Sequence, residues 1–128
     1  MKRLVSGLGV AVLALVAAAC SSPATAPSAA PGSPDPNAVQ IAAKDLKFST
    51  AQLSAPADNA FSIVFDNQDG APHNVSIYKD EGLSQKVFAQ DPFGGPASQT
   101  YAVPALTAGS YVFVCDVHRE MRGTLSVQ

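Results

Sequence analysis

Soft and imidazole side chains are scarce in this 128-residue chain, which has two cysteines, two methionines and two histidines. One methionine is the initiator and one cysteine, Cys20, closes the leader, so Cys115 and Met121 stand alone in the rest of the chain. A single cysteine there excludes an internal disulfide and the four-cysteine zinc and iron–sulfur frameworks. Charge is sparse as well: charged residues make up 14% and the formal net charge is −2. That leaves no basic footprint for a nucleic-acid partner. The stretch Leu4 to Ala19, apolar or small throughout, is 16 residues, short of the roughly 20 that a membrane helix requires. The length leaves room for one domain.

What is present falls into three parts: residues 1–19, 20–37 and 38–128. Lys2 and Arg3 precede the apolar run, which ends in small residues, LVAAAC, at Cys20. This is the organisation of an export signal. It resembles the lipobox of bacterial lipoproteins, with Ala17 where that family most often has leucine. The resemblance implies a lipid on Cys20 and a location in the cell envelope, anchored to a membrane outside the cytoplasm. An ordinary signal peptide cut nearby would export the domain too. Ser21 to Asn37 has five prolines among 17 residues, with Ala, Ser, Thr and Gly making up most of the rest. Such a segment buries too little apolar surface to offset its ordering entropy. It reads as a disordered, semi-extended tether.

From Ala38 to Gln128 the chain carries six Lys/Arg against nine Asp/Glu, a net charge of −3. Apolar residues alternate at Val39, Ile41 and Ala43, at Phe61, Ile63 and Phe65, and at Tyr111, Phe113 and Cys115. Weaker strand signals cover Leu46 to Phe48, Lys86 to Phe88, Gln99 to Val103 and Thr124 to Val127. His73, Val75 and Ile77 are expected on one strand face, with Asn74, Ser76 and Tyr78 on the other. Gly, Pro and Asp turns separate these runs. About seven to eight short strands without a convincing helix predict an all-β Greek-key sandwich.

Taken singly, the scarce residues are ordinary. A strand cysteine is commonly a small buried hydrophobe, and a lone methionine is core filler. Together they are not. They lie in two short stretches, PHN at 72–74 and CDVHREM at 115–121. One thiolate, two imidazoles and one thioether form the donor set of a mononuclear blue-copper site. A binuclear copper site needs a second cysteine, and an oxidase or nitrite reductase needs further histidine clusters, so both are excluded.

The stretches FDNQDGAPHN (65–74), GSYVFVC (109–115), CDVHREM and the closing GTLSV resemble the cupredoxins, of the plastocyanin and amicyanin kind. The gap of three from His118 to Met121 resembles the short loop of amicyanin-like members. The resemblance implies one type 1 copper ion held by His73, Cys115 and His118, with Met121 as a weak axial ligand. It implies that Asn74 ties the two ligand loops together. Asp116 stands where many members have Ser or Thr, and a carboxylate there is expected to lower the potential. Val117 and Arg119 flank His118 where members often place proline. The implied function is electron transfer between redox partner proteins by a monomer with no catalytic activity of its own. A copper-delivery lipoprotein would use the same ligands but exchange the metal readily, and a copper off-rate separates the two. A structural or adhesive sandwich without metal would leave the donor set a coincidence.

Donors about 2 to 2.3 Å from a common point should lie roughly 3 to 4 Å from one another. The family pattern implies that both histidines present Nδ1, with Nε2 of His73 donating to an interior group and His118 partly exposed. Gly70, Ala71, Pro72, Pro92, Phe93 and Pro96 are expected to form an apolar rim.

Overall fold

The computed structural model describes Asp35 and residues 37–128. The leader and Cys20 lie outside the described residues, as does all of the tether except Asp35 and Asn37. Among the described residues there are nine strands and no helix. They are β1 (Val39–Lys44), β2 (Lys47–Phe48), β3 (Gln52–Ala55), β4 (Phe61–Asn67), β5 (Ser76–Tyr78), β6 (Lys86–Phe88), β7 (Ala97–Val103), β8 (Gly109–Val114) and β9 (Arg122–Val127). One sheet has the order β2-β1-β4-β7 and the other β3-β9-β8-β5-β6. This is the expected all-β sandwich. The strand count exceeds the expected seven to eight because Gln52–Ala55 forms a strand of its own. That segment has no strong alternation; parallel pairing with β9 holds it, Leu53 opposite Leu125. β1 and β4 are also parallel, so both sheets are mixed.

Alternation places the core. In β4, Phe61, Ile63 and Phe65 are buried while Ser62, Val64 and Asp66 are half-buried. Phe65, Ile63, Phe113, Ile77 and Leu125 are fully enclosed between the sheets. The Phe48 ring packs on Phe113 at 5.4 Å and edge-on to Phe65 at 6.3 Å between centroids. Phe93 meets the other side of Phe65 at 5.5 Å. Offset and edge-to-face aromatic pairs contribute about 0.5–1.5 kcal/mol each beyond their burial.

One face differs from expectation. β5 begins at Ser76, and His73 joins the sheet region only through an isolated bridge to Phe93. The face of Asn74, Ser76 and Tyr78 is as buried as that of Val75 and Ile77. Alternation along a strand cannot reveal that both faces are covered. Here the second face is closed by a polar cluster built on Asp116.

Candidate metal centre

His73 follows β4 by a turn that is tied down from within. The buried Asn67 side chain donates through Nδ2 to the carbonyls of Ala71 (2.9 Å) and Phe93 (2.6 Å), and its Oδ1 accepts from Asp69 N–H at 3.0 Å. His73 and Phe93 then exchange two backbone hydrogen bonds of 3.1 Å. Gly95 lies against this turn: a Cβ there would overlap the Asn67 carbonyl and sit 2.7 Å from that of Asp69. The second ligand stretch leaves β8 at Cys115 and returns to β9. Cys115 N–H donates to the Met121 carbonyl and Met121 N–H to that of His118, both at 2.9 Å. These bonds fold 115–121 into a compact loop across the end of the sandwich.

The two stretches meet. Cys115 Sγ lies 3.7 Å from His73 Nδ1 and 3.9 Å from His118 Nδ1, and the two Nδ1 atoms are 3.2 Å apart. His73, Cys115 and His118 thus form a group able to hold a metal ion, two of them fully buried and His118 half-buried. Met121, 2% exposed, closes the same loop. One soft sulfur and two imidazole nitrogens in a largely buried group fit a copper ion by donor chemistry. Asn74 joins the loops as the sequence implies: its Oδ1 accepts from Asp116 N–H at 2.8 Å and its Nδ2 donates to the Gln90 carbonyl at 2.8 Å.

Two carboxylates flank the donors. Asp69, four residues before His73, accepts from its Nε2 at 3.1 Å, so the partner of that buried ring is a half-buried carboxylate. Backbone N–H groups of Asp45 and Leu46 hold the Asp69 carboxyl below its ordinary range, with His73 adding to them. Asp116 accepts from Asn74 Nδ2 (3.1 Å), Ser76 Oγ (2.5 Å), Tyr78 OH (2.8 Å) and Lys86 Nζ (3.1 Å). Burial opposes its charge, but the bonds from Ser76, Tyr78, Asn74 and Lys86 outweigh burial and lower its pKa to about 2. The Lys86 ammonium also lies 5.3 Å from the centre of the Tyr78 ring. Sequence reasoning singled out Asn74 and Asp116 but missed Asn67, Asp69, Ser76, Tyr78 and Lys86. The NQDG run read as turn chemistry alone.

Asp116→Asn should cost about 1–3 kcal/mol, because a single amide oxygen cannot satisfy four donors. The Lys86 pair adds little to that figure, since its side chain is 44% exposed. Urea denaturation of the metal-free protein measures it, and an unchanged midpoint would mean that the cluster contributes nothing.

Of the expected rim, Ala71 and Phe93 are half-buried and Gly70, Pro72, Pro92 and Pro96 are exposed. Val117, 47% exposed, adds an apolar side chain beside His118. A cleft of ≈ 670 Å³, lined by Asp35, Ser54, Phe61 and Gln128 among others, lies at the far end of β4 from these residues.

Fold and donor set together define a small copper-binding β-sandwich. A family model described as a cupredoxin-like domain matches residues 10–127, and the chain belongs to that family. It is 31% identical over 87 residues to plastocyanin A/B of Petroselinum crispum, covering 64% of this chain and 88% of that protein. It is 29% identical over 86 residues to amicyanin-alpha of Methylorubrum extorquens, covering 65% of this chain and 66% of that one. Among solved structures, dithionite-reduced auracyanin of Roseiflexus castenholzii matches with a TM-score of 0.64 at 21% identity, over 72% of this chain and 97% of that one. That last likeness concerns the fold alone.

Proposed function

We propose that this chain is a blue-copper electron carrier in which His73, Cys115 and His118 would hold one copper ion and the Met121 thioether would serve as a fourth, weaker donor. The observation that carries this reading is the meeting of Sγ and two Nδ1 atoms within 3.2–3.9 Å, from stretches 42 and 45 residues apart. When bound, copper supplies a one-electron couple. The protein supplies a fixed cage. Asn67 and the His73–Phe93 bridge hold one ligand, the Cys115–Met121 backbone bond holds the loop bearing the others, and Asn74 joins the two. A cage set by the sandwich imposes one compromise geometry on both oxidation states, so little rearranges when an electron moves. His118, half-buried and beside exposed Val117, is the port toward redox partner proteins. On this reading the chain acts as a monomer and turns over no substrate of its own.

The test is the visible and EPR spectrum of copper-loaded protein. An intense thiolate-to-copper band with one Cu(II) per chain is the expected result. A colourless Cu(II) complex would end the electron-carrier reading.

We further propose that the protein is exported and held to a membrane through a lipid on Cys20, with residues 1–19 removed and 21–37 as spacer. The support is the basic start, the short apolar run and the small residues before Cys20. Cys20→Ala should abolish the acyl mass and shift the protein to the soluble fraction while its spectrum stays unchanged. Native protein without an acyl group would remove the anchor from the proposal.

A further inference from the structure

The turn between β1 and β2 has a shape that its own residues do not favour. Ala43 pairs with Phe48 and Lys44 with Lys47, which leaves Asp45 and Leu46 as a two-residue loop. Both sit in the left-handed region, at φ 52° and 58°. Hairpin turns of that geometry favour Asn and Gly, and a leucine enters it against its own sterics. Burial does not hold it there, because Leu46 is 55% exposed. What the conformation achieves is the aim of two backbone N–H groups. Asp45 N–H and Leu46 N–H donate to the two carboxylate oxygens of Asp69, at 3.0 and 3.2 Å. One of those oxygens, Oδ2, also accepts from Nε2 of the fully buried His73. The same hairpin borders the other ligand loop: Leu46, Lys47 and Phe48 share a cleft of ≈ 190 Å³ with Glu120 and Met121.

We propose that the Asp45–Leu46 turn is a positioning device for the metal centre, acting through Asp69 on His73. This deepens the copper reading above and rests on it. Held from both oxygens, the carboxylate cannot swing out to solvent, and it faces the ring. It keeps the proton on Nε2 and leaves Nδ1 free to face Cys115 and His118. A carboxylate on the far nitrogen also makes the near one a stronger donor, which favours the oxidised ion. The hairpin thus sets part of the potential by reaching His73 through Asp69.

Three variants test it. Asp69→Asn removes the charge and should raise the reduction potential, shifting the preference for Cu(I) over Cu(II) by about tenfold; loss of such an outer partner alters metal affinity or activity about 10- to 100-fold. Leu46→Pro removes one N–H and cannot hold a positive φ. It should raise the potential in the same direction by a smaller amount. The variant Leu46→Gly keeps both N–H donors and the Asp45 charge in a sequence suited to the turn and should leave the potential unchanged. A second readout needs no bound Cu(II): the Nε2 proton of His73, followed by NMR in the metal-free and Cu(I) proteins. It should exchange slowly in the native and Leu46→Gly proteins and quickly in the other two. An unchanged potential in Asp69→Asn, or an unchanged or lowered one in folded Leu46→Pro, would overturn the proposal. So would a Nε2 proton that exchanges equally fast in all four proteins. If the loaded native protein is colourless, the copper reading fails, while the proton measurement on metal-free protein still judges the turn.

Discussion

Cys115→Ser is expected to leave a folded protein that has lost its blue colour. The sulfur is fully buried and stands 3.7 and 3.9 Å from the two Nδ1 atoms. Serine is nearly the same shape, and the backbone bond from residue 115 to the Met121 carbonyl does not involve the side chain. The cost to the metal-free fold is therefore that of burying a hydroxyl in place of a thiol, about 1–3 kcal/mol. The electronic effect is all or none. The strong visible band of such a site comes from charge transfer out of a thiolate, and an alcohol oxygen is a harder donor with no comparable transition. Copper still held by two imidazoles should give a pale complex with an ordinary Cu(II) EPR spectrum. Absorbance and EPR of the loaded variant, with urea denaturation of its metal-free form, make the measurement. A variant that keeps the native band would show that another group supplies it and would remove Cys115 from the site.

The donors were legible in the sequence because they are rare and locally spaced. With one usable cysteine and two histidines, few alternative sites could be drawn, and alternation in Tyr111, Phe113 and Cys115 aimed the sulfur inward. What surrounds the donors was far less legible. Asp45 and Asp69 are 24 residues apart, and Tyr78 and Asp116 are 38 apart. No local pattern marks a carboxylate whose donors come from another hairpin or another strand. Asp69 reads as a turn residue, which it is, and nothing local marks it as the partner of an imidazole. Asn74, Ser76 and Tyr78 carried the polar face of an alternating strand, and polarity reads as solvent until a buried acceptor is known. β3 was missed for a related reason. Its four residues are held by parallel pairing to β9, a partner about 70 residues away, and pairing at that separation leaves no period in the strand itself.

The other large effect concerns Gly123, two residues beyond Met121, where the ligand loop passes into β9. It is paired with Phe113 across the sheet. A Cβ built on it would overlap the edge of the Phe113 ring and stand 2.5 Å from the Ala51 carbonyl. Neither neighbour can yield cheaply. Phe113 is fully enclosed and packs against Phe48, and the Ala51 carbonyl already accepts from Thr124 N–H at 2.9 Å. Gly123→Ala must therefore push β9 away from β3 or tilt a central aromatic ring. Overpacking of that kind costs about 3 kcal/mol, the upper part of the usual range. For a domain of this size that is roughly 12–24 °C in melting temperature. The displacement also falls at the C-terminal root of the loop that carries Cys115, His118 and Met121, so copper should be released sooner on heating. Gly70→Ala is the matched control, since nothing lies within 4 Å of a Cβ there, and its stability should change by less than about 0.5 kcal/mol. Thermal melts of both variants in the metal-free state decide the matter. If Gly123→Ala melts with Gly70→Ala, the packing between β9, Phe113 and Ala51 is looser than these distances require, and the sandwich does not hold the ligand loop as tightly as the electron-carrier reading needs.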